Sequence, residues 1–462
     1  MFDNLILDTD SYKASHWLQY PPGTSGVFSY VESRGGRYDR TVFFGLQAIL
    51  KAQLGRPVSH GDVDAARDLF AAHGEPFNEA GWRRIVDIHG GRLPVSIRAV
   101  PEGTVVPTHN VLMTIENTDP EAFWLPSYLE TLLLRVWYPT TVATISWHVK
   151  QQLRAALEAT SDNAATELPF KLHDFGSRGV SSQQSAALGG LAHLVNFQGS
   201  DTVAAILAGR AWYGEPMAAG SIPAAEHSTI TSWGRDREAD AYRNMLAQFG
   251  RPGALFSVVS DSYDLLHAVR DLWGGELRQA VIDSGATLVV RPDSGDPATM
   301  VAETLKALDE TFGSSLNSKG FKVLNHVRVI QGDGVNPVSI GQILERLTGM
   351  GFSAENLAFG MGGGLLQQLD RDTQKFALKC SAARVDGEWI GVAKDPITDP
   401  GKRSKAGRLM LQRSAAGAFR TVAVAADSAA EAGWSDALDL VWENGQLLRD
   451  QTFAQVRANS ES

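Results

Sequence analysis

The chain has 462 residues, 44% hydrophobic and 20% charged, a balance that builds cores, excludes a disordered chain and leaves room for two or three domains. Its formal net charge of −10 sets the global field against nucleic acid, and KRSKAGR at residues 402–408 is the one basic cluster that could offset it. No apolar run approaches the roughly 18 residues of a membrane span, the single Cys380 cannot build a disulfide framework, and acids stand in MFDNLILDTDSYK where an export signal wants Lys or Arg, so a cytoplasmic protein without membrane or nucleic-acid partners is expected.

Residues 1–150 mix short alternating runs such as SGVFSYVES and LPVSIRAVPEGTVVP with helical stretches, an α+β pattern of antiparallel strands on helices. From about residue 170 the rhythm changes. Short apolar runs end in loops of Gly, Asp, Arg or Ser: FKLHDFGSRG, IPAAEHS, ALFSVVSDSYD, ATLVVRPDSGDP, VRVIQGDGV and LAFGMGGG. Between them lie amphipathic stretches at 202–213, 236–249, 262–273 and 298–312, the last opened by Pro297 at a first helical position. Such a β/α repeat closes into a barrel or forms an open doubly wound sheet, and function concentrates after the carboxyl ends of the strands. After Lys379 the alternating runs WIGVAKD, GRLMLQR and AFRTVAV return, so the C-terminal segment is expected to rejoin the first domain. The predicted division is 1–160 with 381–462 against a barrel domain of 161–380.

Several strand ends carry chemistry. VVRPDSGDP delivers Arg291, Asp293 and Ser294 into a Gly/Pro turn. Arg offers a planar fork for phosphate or amide oxygens, and Asp293 suits a ribose hydroxyl or hydrated magnesium; an Asx-type turn with a surface ion pair is the plain alternative. IQGDGV and VVSDSYD place Asp333 and Asp261 at the same rim, where three carboxylates suit a hydroxyl-rich substrate with magnesium on its pyrophosphate. Each could instead cap a helix, Asp261 in particular. GMGGG at 360–364 resembles a phosphate cradle of bare backbone N–H groups, or is simply a tight turn, and Arg371 follows it. HDFGSRGVSS sets Phe175 and Arg178 in a glycine-rich turn that could hold a flat heteroaromatic ring, or be a core Phe beside a surface Arg. AAEHSTI puts His227 after Glu226 at another strand end, where a merely structural His is the ordinary case. No second His or Cys stands at ligand spacing for a metal, and no G-x-S-x-G elbow points to a serine hydrolase.

The motifs DTDSYKASHWLQYPPGT, KLHDFGSRGVSS, GSDTVA, PAAEHSTI, VVSDSYD, RPDSGDP, VIQGDGV, FGMGGGLLQ and KDPITDPGKRSKAGRL together resemble the nicotinamide phosphoribosyltransferases, collinearly from about residue 5 to the C-terminal region. The resemblance implies an atypical α/β barrel plus a second α+β domain rich in antiparallel strands and built from both chain ends, working as a head-to-tail homodimer. It implies that Phe175 stacks on nicotinamide, with Tyr12 of the other subunit on the opposite face, and that Asp201 and Arg291 address the carboxamide. It further implies that Asp293, Asp333 and Gly332 sit by the ribose or pyrophosphate with Asp261 nearby. Arg178, Gly362, Gly363 and the other subunit's Arg371 and Lys402 would bind phosphates. Lys379 and Lys394 belong to the same substrate-binding set, and His227 resembles the family's phosphorylated histidine, coupling ATP to synthesis. Magnesium would be held mainly by pyrophosphate, with Asp261 and Asp293 nearby. Two departures stand out: Met361 and Ala377 occupy positions where animal members carry hydroxyls, which would weaken phosphate affinity or change ATP coupling.

The implied substrates are nicotinamide and 5-phosphoribosyl 1-pyrophosphate, the implied product nicotinamide mononucleotide. Rivals are a type II enzyme for nicotinic acid or quinolinate, separated mainly by Asp201, and a noncatalytic binding or signalling protein on the same scaffold. No Schiff-base Lys stands at a strand end for an aldolase.

Overall fold

In the computed structural model, residues 3–394, 404–424 and 430–461 are described. The chain forms two compact units, one of residues 1–144, 210–215 and 370–462, the other of 145–209 and 216–369. One join falls inside the helix Trp137–Thr160. A helix running through a join leaves no break in the hydrophobic pattern, which is why a reading of the sequence sets that join at 160 instead.

The first unit is built on a seven-stranded antiparallel sheet. Its order is Glu388–Gly391, Phe376–Val385, Thr24–Ser33, Val111–Asn117, Val95–Ala99, Asp439–Glu443 and Gln446–Leu447. The long central strand carries Val27, Tyr30 and Val31 fully buried and pairs on one side with Phe376–Val385, Ser29 opposite Cys380. Both chain ends therefore share one sheet. The helix His60–His73 starts at a capping box in which Ser59 and Asp62 satisfy each other's backbone N–H and stops at Gly74 with φ of 91°. Trp82, Trp124 and Tyr128 meet edge to face behind the sheet, centroids 5.0 to 5.6 Å apart.

A buried polar knot ties this unit together. The carboxylate of Glu102, 4% exposed, accepts from Gly45 N at 3.1 Å and Gln47 N at 2.8 Å and from the Tyr213 hydroxyl at 2.6 Å. Its own N–H donates to Gln451 Oε1 at 2.8 Å. Burial pushes the Glu102 carboxyl up to about 7, against these donors, which favour the charged form. Tyr213 lies in the 210–215 excursion, so the knot fastens those residues to the first unit.

The second unit holds a parallel six-stranded sheet in the order Gly199–Ser200, Leu172–Asp174, Leu357–Met361, Val327–Gln331, Thr287–Arg291 and Leu255–Val259. Near-continuous Val, Leu and Phe in these strands match a sheet covered on both faces. Its two edges are both bonded by the segment 220–225. Ser200 N donates to Gly220 O, and at the other end Ala225 N donates to Ser257 O at 2.9 Å. The curled sheet and this segment form the expected atypical barrel. Of the expected helices, Val203–Tyr213, Glu238–Phe249 and Pro297–Phe312 form, the last capped by Asp296, while the third becomes Leu265–His267 followed by a wider π-helical stretch, Ala268–Glu276. No described helix is long and apolar enough to cross a membrane.

Candidate active site

The carboxyl ends of the parallel strands open into a cavity of about 1320 Å³ lined entirely by the second unit. At one wall Arg291, the last residue of its strand, forks onto Asp293, with Nε to Oδ1 at 3.1 Å and Nη2 to Oδ2 at 2.8 Å. The two side chains are 20% and 19% exposed, so this is the ion pair of the plain reading, set in the cavity wall. Asp293 N donates to Asp261 Oδ2 at 3.0 Å, whose other oxygen faces His227 Nε2 at 3.0 Å. His227 Nδ1 stands 3.9 Å from Asp293 Oδ2. An imidazole flanked by two carboxylates is not the backbone-satisfied His of the ordinary case. Helix capping passes to neighbours: Asp264 accepts from His267 N and Asn336 from Val338 N and Ser339 N, which leaves Asp261 and Asp333 to the rim.

Glycines let the other wall close up. A methyl built on Gly332 would lie 3.5 Å from Phe175 Cε2, 3.6 Å from Asp293 Oδ1 and 3.7 Å from Arg291 Nε, so ring, acid and guanidinium surround one point. A methyl on Gly360 would fall 1.9 Å from Phe175 Cε2. Only glycine lets the ring lie there. Asp201 is exposed to the cavity, and Ser221 Oγ donates to its Oδ1 at 2.5 Å. Ser200, not Asp201, takes the local backbone bond, from Thr202 N at 3.0 Å. Burial pulls the His173 imidazole below its ordinary value, opposed by Asp201.

The strand Leu357–Met361 runs into Gly362, Gly363 and Gly364, all on the cavity wall, and into the short helix Gly363–Leu366. Gln367 stitches this loop to the Phe175 turn, Nε2 donating to Gly176 O at 2.9 Å. Met361 is fully buried and off the wall, so it offers no group to a phosphate and takes none away. At the strands' amino ends the same cavity is lined by Glu167, Lys171, Arg328 and Glu355. There Lys171 Nζ contacts Glu167 at 2.6 Å and donates to Glu355 O at 2.8 Å, and burial pulls its ammonium below the ordinary value.

Residues 170–440 match the model of the nicotinate phosphoribosyltransferase family, and residues 4–97 match that of the nicotinamide phosphoribosyltransferase N-terminal domain. A nicotinamide phosphoribosyltransferase of Xanthomonas campestris is 68% identical over 462 residues, covering 100% of this chain and 98% of that relative. The chain belongs to the nicotinamide phosphoribosyltransferase family. Another member, from Acinetobacter baylyi, is 32% identical with 97% and 95% covered. In fold, the crystal structure of nicotinate-nucleotide pyrophosphorylase from Pyrococcus furiosus is similar at a TM-score of 0.63 and 17% identity, covering 100% and 96% of the two chains.

Among the residues that family resemblance singles out, Phe175, Arg178, Asp201, His227, Arg291, Asp293, Gly332, Asp333, Gly362 and Gly363 line the cavity. Asp261 reaches its rim through His227 and Asp293. Tyr12, Arg371, Lys379 and Lys394 belong to the first unit; Tyr12 is 55% exposed, Arg371 pairs loosely with Asp372, and Lys394 is exposed, its N–H on Ser404 Oγ. Lys402 lies outside the described residues. Ala377 sits in the strand Phe376–Val385. Reading the sequence missed Ser221, Gln367, His173 and Asn336 on the wall; Ser221 follows the glycine of PMAAG, where no alternation signals a strand, and Gln367 sits where helical periodicity hides a polar contact. Among the described residues no group of three or more His, Cys, Asp or Glu stands as a metal cage.

Proposed function

We infer that this chain transfers the phosphoribosyl group of 5-phosphoribosyl 1-pyrophosphate to nicotinamide, giving nicotinamide mononucleotide and pyrophosphate on the way to NAD. The observation that carries this is the grouping of the Phe175 ring, the Arg291–Asp293 fork and Gly332 about one point of the cavity, in a chain 68% identical to a nicotinamide phosphoribosyltransferase. The pyridine nitrogen attacks ribose C1 as the bond to pyrophosphate breaks, and positive charge spreads over C1 and the ring oxygen. The nitrogen is already a nucleophile. No general base is required, so the residues hold the ring in line and stabilise the leaving group. In this reading Phe175 stacks on the base with the partner subunit's Tyr12 on the other face, Asp201 takes the amide NH₂ and Arg291 the amide oxygen. Asp333 and Asp293 accept from ribose hydroxyls. Arg178, the N–H groups of Gly362 and Gly363, and the partner subunit's Arg371 and Lys402 hold phosphates, with Lys379 and Lys394 in the same substrate-binding set. The exposed Tyr12 supports a homodimer with shared pockets.

Both oxygens of Asp261 and both of Asp293 are already engaged by His227, Asp293 N and Arg291. They suit waters on a magnesium ion that the pyrophosphate carries, and that ion would neutralise leaving-group charge. Asp261 holding Nε2–H leaves Nδ1 of His227 as a lone pair for the γ-phosphorus of ATP, with ADP leaving. A cytoplasmic setting supplies both nucleotide and sugar phosphate. The test is incubation with 5-phosphoribosyl 1-pyrophosphate, magnesium and each of nicotinamide, nicotinic acid and quinolinate; mononucleotide from nicotinamide supports the reading, and product from either acid alone overturns it. His227→Ala should lose ATP stimulation yet keep slow synthesis. Tyr12→Ala and Phe175→Ala chains, inactive alone, should regain activity as mixed dimers.

A further inference from the structure

One buried carboxyl stands directly behind the two residues assigned to the base, and nothing in the chemistry above uses it. Asp174 ends the strand Leu172–Asp174 and is fully buried. Its Oδ1 accepts from Gly176 N at 2.7 Å, and its Oδ2 from Ser200 Oγ at 3.4 Å. Its backbone oxygen accepts from Asp201 N at 3.0 Å. Gly190 packs closely against this carboxyl, since a methyl there would lie 3.0 Å from Oδ2. The turn that presents Phe175 and the turn that presents Asp201 are thus both bonded to this one residue. Phe175 has one further backbone tie, its N–H on Met361 O at 3.1 Å, and Asp201 has Ser221 on its outer side.

We propose that Asp174 is a positioning residue that sets the separation between the Phe175 ring and the Asp201 carboxylate, and so governs how the flat base is held. The proposal rests on the assignment of Phe175 and Asp201 to the base. Its effect falls first on the base, because the Arg291–Asp293 fork stands on another strand, while Arg178 lies beyond Gly176 and the glycine loop meets the Phe175 turn through Gln367 and Met361. A buried acid is costly unless its oxygens are matched, and here Gly176 N–H and the Ser200 hydroxyl match them. Burial also raises the Asp174 carboxyl, so Asn is a close replacement: it keeps an acceptor for Gly176 and an amine that the Ser200 hydroxyl can accept from.

The experiment measures KM for nicotinamide and for 5-phosphoribosyl 1-pyrophosphate separately in Asp174→Ala, Asp174→Asn and Ser200→Ala, with thermal melts alongside. Asp174→Ala should raise the nicotinamide KM about tenfold and leave the other KM within about twofold. Asp174→Asn should recover most of the loss. Ser200→Ala, which cuts the brace at its far end, should shift the nicotinamide KM the same way by about two- to threefold, and the double alanine variant should be little worse than Asp174→Ala. Two KM values that rise together, or an Asn variant no better than Ala, overturn the proposal. Should Asp174→Ala not fold, Ser200→Ala decides, and an unmoved nicotinamide KM overturns it. Wild-type protein that uses only nicotinic acid would sink the functional reading instead, and the same split measured with that acid would still judge Asp174.

Discussion

Two polar clusters in this chain are built around carboxylates and do opposite things. In the first unit, Glu102 is buried and both of its carboxylate oxygens face fixed donors, from Gly45, Gln47 and Tyr213. At the cavity rim of the second unit, Asp261 is just as buried, its side chain 4% exposed, but the groups it backs open outward: His227 is 45% exposed and Arg291 and Asp293 about a fifth. Exposure decides between them. A carboxylate sealed among fixed donors stabilises a fold, whereas a half-open one keeps lone pairs for whatever enters.

Substitutions should separate the two clusters cleanly. The largest effect is expected from Asp293→Asn, which strips the charge from the Arg291 fork and from one side of His227: kcat/KM for mononucleotide synthesis should fall about 10²- to 10³-fold. Its thermal midpoint should move less than that of a Glu102 variant, since Asn keeps the size of the side chain and an acceptor for Arg291. Glu102→Ala should do the reverse, leaving three buried donors without an acceptor at a cost on the order of 3 kcal/mol. The midpoint should drop by roughly 5 °C or more while kcat of the folded protein holds. A rim variant that melts early, or a Glu102 variant that folds well and fails to turn over, would erase the distinction.

The same carboxyl gives a pH signature. With its folded value raised to about 7 from an ordinary value near 4.5, the folded state binds the proton more tightly than the unfolded chain. Its contribution to stability is complete below the lower value and is lost as pH climbs through the interval, at up to about 1.4 kcal/mol per unit. Glu102→Gln should therefore flatten the fall in melting temperature between pH 5 and pH 7. Gly360→Ala is expected to push the Phe175 ring aside and raise the nicotinamide KM about tenfold. Met361→Leu, a volume-conserving change away from the cavity wall, should leave both KM values within about twofold.

Much of the barrel was legible because apolar runs ending in Gly, Asp or Arg mark strands that deliver loops to one rim; FKLHDFGSRG, ATLVVRPDSGDP, VRVIQGDGV and LAFGMGGG all correspond to parallel strands. IPAAEHS does not. It supplies part of the 220–225 segment, which forms only isolated bridges, since Pro223 has no N–H to give to a ladder. The hairpin Ser314–Leu316 with Lys322–Leu324 escaped notice because its strands are too short for alternation to register. In the site, charged residues at strand ends could be picked out, but Ser221 and Asp174 could not: their importance lies in which neighbours face them, and no spacing in the chain encodes that.

The pairing of Ser29 with Cys380 in the first unit's central strand has a consequence for biosynthesis. The partner strand is translated about 350 residues after the first, which at 5–20 residues per second is roughly 20–70 s. Once Val111–Asn117 has been made it covers one side of the strand Thr24–Ser33, and for the rest of that interval the other edge stays open, rich in buried-type side chains and ready to pair with another nascent copy. Slow elongation would lengthen that exposure and a premature stop before residue 376 would make it permanent, so truncated products should be more prone to aggregate than the finished chain.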